Sequence, residues 1–159
     1  MCSFASFLHN PSTGEIKVWD LNSHGNTEKK FKLDPKVWRE GHYLPNGNIE
    51  LRLAEDDRVD KVEYETAFKN RFPDFTSFFN WALKTGIDFS GSLYLRSLTT
   101  LDPKVKLPKE CGSLYLSSLT TLDPKVKLPE KISGYLDLRS LTSTEKEDLR
   151  KKYPHITII

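Results

Sequence analysis

The sequence predicts an α+β fold. Antiparallel β-hairpins with short helices occupy residues 1–86, and a short β-solenoid capped by a C-terminal helix follows over residues 87–159. Three observations predict it. The dodecapeptide SLTTLDPKVKLP stands at residues 97–108 and again, unchanged, at residues 118–129. Residues 1–54 hold two pairs of extended runs separated by turn clusters. Beyond them, capping residues and stop signals bracket helical segments.

In the first pair, Cys2–His9 and Glu15–Leu21 flank Asn10–Pro11–Ser12–Thr13–Gly14, residue types that favour turns. In the second, Glu40–Leu44 and Ile49–Leu53 flank Pro45–Asn46–Gly47–Asn48, whose Asn-Gly is a strong hairpin signal. Between the pairs, Asn26 or Thr27 is expected to cap a short helix over Glu28–Leu33, ended by Pro35. Val62–Phe72 reads as helical. Asp74 is expected to cap Phe75–Lys84, with Gly86 stopping it at C′. The dense apolar set Phe75, Phe78, Phe79, Trp81 and Ala82 reads as a plug over the first repeat, or else as a partner surface. No Pro/Gly/Ser linker separates the two parts, which predicts one continuous body.

Units beginning at Gly91, Gly112 and Gly134 align with their apolar positions in register. These are Leu93, Leu95, Leu98, Leu101, Val105 and Leu107, then Leu114, Leu116, Leu119, Leu122, Val126 and Leu128. The third unit keeps Leu136, Leu138 and Leu141 and then diverges. Leu-x-Leu is the period-2 mark of a short strand with one face inward. Asp-Pro and Leu-Pro punctuate the return, because Pro fixes φ and cannot extend a hydrogen-bonded ladder. The pattern resembles a leucine-rich repeat, in the short, degenerate form of bacterial and phage proteins. The usual Asn or Cys is replaced by Ser97–Leu98–Thr99 and Ser118–Leu119–Thr120. Thr142-x-x-Glu145 is a capping-box signature for a helix over Glu145–Lys152, which turns Leu149 and Tyr153 inward and ends before Pro154. His155–Ile159 can add a last strand. Such a cap hides the open edge of a stack.

Charge divides unevenly. Residues 1–90 carry 12 Lys/Arg against 14 Asp/Glu, and residues 91–159 carry 12 against 8, within a net charge of +2. The imbalance favours an acidic partner for the second part. No apolar run reaches the ~18 residues of a membrane span. No secretory leader is evident. Two cysteines, Cys2 and Cys111, make no disulfide framework, and Cys111 reads as a small packing residue in a loop. A reducing cytoplasm is the expected location.

Candidate chemistry is sparse. Removal of Met1 would leave Cys2 with a thiol and an α-amine, the pair used by N-terminal nucleophile hydrolases, with His24 and Glu50 as further acid/base groups. Amidotransferases of that type continue with Gly after Met-Cys, whereas this chain continues Ser3–Phe4. His9, His24, His42 and His155 show no metal-ligand spacing, and no phosphate loop or nucleophile elbow is present. Neither metal nor cofactor is expected. The repeats offer more. Tyr94, Arg96, Tyr115, Ser117, Asp137 and Arg139 alternate with buried leucines and are expected to share one exposed face, rich in the residue types that dominate interfaces. Lys104, Lys106, Lys125 and Lys127 occupy equivalent offsets and form a two-by-two basic block. The block suits edge protection, an acidic partner or a nucleic-acid backbone.

The opening Met1–Cys2–Ser3–Phe4–Ala5–Ser6, the Ser23–His24 pair and the Gly-Ser-Leu-Tyr-Leu repeats together resemble small phage and prophage proteins. That resemblance implies an inhibitor of host defence, anti-CRISPR proteins among them. Together with the outward Tyr and Arg positions, the expectation is a non-enzymatic module that binds stoichiometrically, through the repeat face, to a host protein such as a CRISPR effector, with nucleic acid a lesser prospect. The competing expectation is a small hydrolase built on Cys2.

Overall fold

The computed structural model describes residues 5–21, 23–44, 48–85, 91–96 and 98–159. The chain is α+β, and it divides into two compact units, Met1–Ile87 and Asp88–Ile159.

In the first unit β1 (Ser6–His9) pairs antiparallel with β2 (Ile16–Lys17) on one side and β3 (Arg39–Tyr43) on the other; β4 (Ile49–Leu51) completes the order β2-β1-β3-β4. All four residues of β1 are buried. Alternation sends Phe7 and His9 to the face covered by two helices, α2 (Lys61–Arg71) and α3 (Phe75–Lys84). There Phe7 stacks on Phe68 at 5.2 Å and meets Phe78 at 5.0 Å. Gly41 lies opposite Phe7 in the register, and a Cβ there would run into the Phe7 ring, so the aromatic core reaches the strand only because Gly41 has no side chain. The buried Tyr43 hydroxyl donates to the Phe72 carbonyl, and burial holds its pKa well above the ordinary tyrosine range. Phe78, expected to cover the first repeat, makes its ring contacts with Phe7, Tyr43, Phe68, Phe72 and Trp81 of its own unit. It fills the core there.

Both C-terminal helices of this unit start where the capping chemistry requires. Asp60 accepts from the Glu63 amide and Asp74 from the Ser77 amide, at 2.9 and 2.7 Å. The first helix, α1 (His24–Phe31), corrects the sequence expectation. Its cap is Ser23, whose Oγ accepts from the Asn26 amide, and it ends at Lys32 in the left-handed region with φ 53. Thr27, expected as a cap, lies a turn inside the helix, where its Oγ1 accepts from the amides of Trp19 and Asp20. A tertiary contact has claimed the hydroxyl that local chemistry would use for capping. The Asn46–Gly47 turn and Gly86 lie outside the described residues.

The second unit is built of very short parallel strands. β5 (Leu93–Tyr94), β7 (Leu114–Tyr115), β9 (Tyr135–Asp137) and β10 (Thr157–Ile158) form one sheet in the order β10-β9-β7-β5, and β6 (Glu110–Cys111) pairs with β8 (Lys131–Ile132) in another. Leu93, Leu114 and Leu136 pair in register and are all buried. Leu95, Leu116 and Leu138 form a second buried column, and Leu98, Leu119 and Leu141 a third. The turn between those columns recurs in each unit, with the amides of Leu98, Leu119 and Leu141 donating to the carbonyls of Leu95, Leu116 and Leu138. Asp102 and Asp123 open identical turns in which Pro stands second, and the amides of Val105 and Val126 close them. Cys111, expected in a loop, is a buried strand residue paired with Ile132, and burial raises its thiol pKa. The helix α4 (Ser143–Lys152) carries the expected capping box: the Glu145 amide donates to Thr142 Oγ1 and the Thr142 amide to Glu145 Oε2. After it, β10 returns to pair with β9.

Candidate binding face

With the leucine columns turned inward, alternation turns their neighbours outward. Tyr94, Tyr115 and Asp137 occupy one row across the sheet, by their register. Arg96, Ser117 and Arg139 follow two residues on, and Ser92, Ser113 and Tyr135 two residues before.

These side chains hold each other. Tyr94 and Tyr115 stack at 4.4 Å with ring planes 9° apart. The Arg96 guanidinium lies 4.3 Å from the Tyr115 ring and 4.9 Å from that of Tyr94, so a cation covers the paired π-faces. Tyr135 meets Tyr115 edge-on at 5.3 Å, with their hydroxyls 2.6 Å apart. That hydrogen bond raises the Tyr115 pKa. Tyr94 is 40% exposed.

Asp137 departs from the expectation of an exposed contact residue: it is fully buried. Arg139, two residues on along the same face, forks onto it, with Nε to Oδ1 at 2.9 Å and an η-nitrogen to Oδ2 at 2.7 Å. The Arg139 guanidinium beside it holds the carboxyl below the usual carboxylate range, and the Asp137 charge raises the Arg139 pKa in turn. What reaches solvent there is Arg139, 65% exposed at its side chain. Tyr135 is the residue that sequence reasoning missed. In the third unit Gly-Tyr-Leu-Asp-Leu replaces Gly-Ser-Leu-Tyr-Leu, so the aromatic moves two positions toward the N-terminus and stays on the same face. The shift was legible in the alignment. Gly134, just before it, has no room for a Cβ, which would collide with Ser113 Oγ.

Lys104, Lys106, Lys125 and Lys127 are all exposed on the return segments, and not on the strand face. Together with Lys109 they line a groove of about 620 Å³.

The hydrolase candidates fall differently. Cys2 lies outside the described residues. His24 Nδ1 lies 2.8 Å from Glu40 Oε1, the oxygen that His42 Nε2 also reaches at 2.7 Å, while Arg52 pairs with Oε2 at 2.8 Å. His24 is therefore oriented by Glu40. Glu50 is exposed and lines a separate groove with Val62, Thr66 and Lys69. The Glu40 cluster escaped sequence reasoning because its members come from α1, β3 and the segment after β4. Nearby, His9 is completely buried, its Nδ1 2.9 Å from the Tyr64 hydroxyl. Burial lowers its pKa to about 4. Among the described residues no set of three or more His, Cys, Asp or Glu side chains is placed to hold a metal ion, and no helix is long and apolar enough to cross a membrane. No family model matches the chain, and neither a curated protein nor a solved structure is similar to it.

Proposed function

We propose that the protein is a non-enzymatic protein-binding module whose second unit is a short leucine-rich-repeat-like solenoid, capped by α4, that presents Tyr94, Arg96, Tyr115, Tyr135 and Arg139 to a partner. The observation that carries this reading is the Tyr94–Arg96–Tyr115 stack. Interfaces draw most of their energy from a few Tyr, Trp and Arg anchors, and they lose part of it in ordering flexible side chains. Here the anchors are already ordered against each other, so a partner pays little of the ~0.5–1.5 kcal/mol that each immobilised side chain costs. The register of Leu93, Leu114 and Leu136 supports the solenoid, since equivalent residues of successive units lie side by side.

The resemblance to phage proteins makes a host defence protein, and first a CRISPR effector, the partner to test. Titrating purified protein into an effector cleavage assay should give inhibition that saturates at a one-to-one ratio. Tyr94→Ala with Tyr115→Ala should abolish it with little change in melting temperature. A second reading, a hydrolase using Cys2, is favoured by one observation: Glu40 orients His24 as an acid/base residue is oriented. Inhibition by substoichiometric protein, lost in Cys2→Ala, would replace the binding reading with that one.

A further inference from the structure

The groove on the return segments is chemically unlike the tyrosine face. Five lysines rim it, Lys104, Lys106, Lys109, Lys125 and Lys127, against one carboxylate, Glu130. Its walls are Leu107, Pro108 and Leu128, with no aromatic residue among them. The repeat explains the arrangement. Identical Asp-Pro-Lys-Val turns at residues 102–105 and 123–126 place Lys104 beside Lys125 and Lys106 beside Lys127 in successive units. The turns are internally satisfied: Asp102 Oδ1 accepts from the Lys104 amide and Asp123 Oδ1 from the Lys125 amide, both at 2.8 Å, while the next amides close onto the Asp carbonyls. Among the described residues, Lys109, Lys125 and Lys127 make no ion pair, whereas Lys131 nearby pairs with Glu110 at 3.6 Å.

Those facts narrow the ligand. Small phosphate sites commonly draw on backbone amides turned toward the anion, and here the turn amides are spent on Asp102 and Asp123. Single-stranded nucleic acid needs aromatic platforms for its bases, and the unit's tyrosine cluster lies on the strand face. Apolar walls under a cationic rim fit a chain that offers carboxylates and apolar side chains together. In an extended polypeptide, alternate side chains face opposite ways, and acidic and apolar residues in alternation meet both requirements.

We propose that this groove binds an extended acidic polypeptide segment in which Asp or Glu alternates with apolar residues. It is a second site, independent of the strand-face reading. The test uses the full chain and fluorescence anisotropy with labelled short peptides of alternating Asp and Leu, or alternating Asp and Ser, and a thymidine oligonucleotide of equal charge. The Asp-Leu peptide should bind most tightly, and increasingly weakly as salt rises. Lys104→Gln, Lys106→Gln, Lys125→Gln and Lys127→Gln together should weaken it by about tenfold or more, as four exposed pairs would. Lys125→Gln with Lys127→Gln alone should weaken it in part, and Tyr94→Ala with Tyr115→Ala should leave it unchanged. Equal binding of the Asp-Ser peptide or of the oligonucleotide, or undiminished binding by the fourfold variant, would overturn the assignment.

Discussion

His9 shows how a single buried side chain sets a property of the whole unit. It sits on β1 with its Nδ1 on Tyr64 and its Nε2 without a hydrogen-bond partner among the described residues. Burial holds its pKa at about 4, and the carbonyls of Glu40 and Arg52 pull it back only in part. The unfolded chain binds that proton near the ordinary pKa of ~6.5. Between those values the unfolded state holds more protons than the folded one, so stability must fall as pH falls. The difference corresponds to at most about 3 kcal/mol, fully present near neutrality and lost on going down through pH 4. A thermal or urea melt of the wild type at a series of pH values should show this slope, and His9→Asn should flatten it. An unchanged slope in the variant would show that His9 is protonated in the folded state. Asp137 makes the contrasting case, since its burial is matched by a fork of two hydrogen bonds from Arg139. One buried ionisable group discards its charge, and the other keeps it because a cation is two residues away.

At the scale of elements, caps and columns carry different weights. Ser23 and Thr142 cap exposed helix ends, so Ser23→Ala or Thr142→Ala should each cost about 1 kcal/mol. Leu116 has no solvent exposure and belongs to the middle one of the three units that build the leucine columns. Leu116→Ala should therefore cost about 2–5 kcal/mol, because the removed atoms leave a cavity that neighbours on both sides hold open. Denaturant melts of the three variants should keep that order. A Leu116→Ala cost no larger than that of the caps would mean that the column collapses around the deletion. The helix caps also separate what is local from what is not. Asp60, Asp74 and Thr142 cap where their neighbours in sequence require, whereas Ser23 takes the role and Thr27 is held instead by the amides of Trp19 and Asp20 in the segment after β2.

For the whole molecule, the parallel register suggests that the second unit is extensible. Stability in stacked repeats is a sum of unit and nearest-neighbour terms, so an added internal unit brings its own interface. Inserting a second copy of Gly112–Ser133 after Ser133 should give a folded chain with a higher denaturation midpoint and a steeper denaturant dependence. Aggregation or a lower midpoint would count against the repeat as the folding unit. The leucine columns, the Asp-Pro turns, the capping box and the outward Tyr and Arg positions were determined by the sequence alone, because each depends on residues close together in the chain or on a period repeated along it. The stacking of Arg96 over Tyr94 and Tyr115, the burial of Asp137 under Arg139, the sharing of Glu40 by His24, His42 and Arg52, and the claim on Thr27 by Trp19 and Asp20 were decided only in the tertiary structure. Each of these sets partners, burial or charge for side chains whose options the local sequence leaves open, and only packing places the atoms that choose among them.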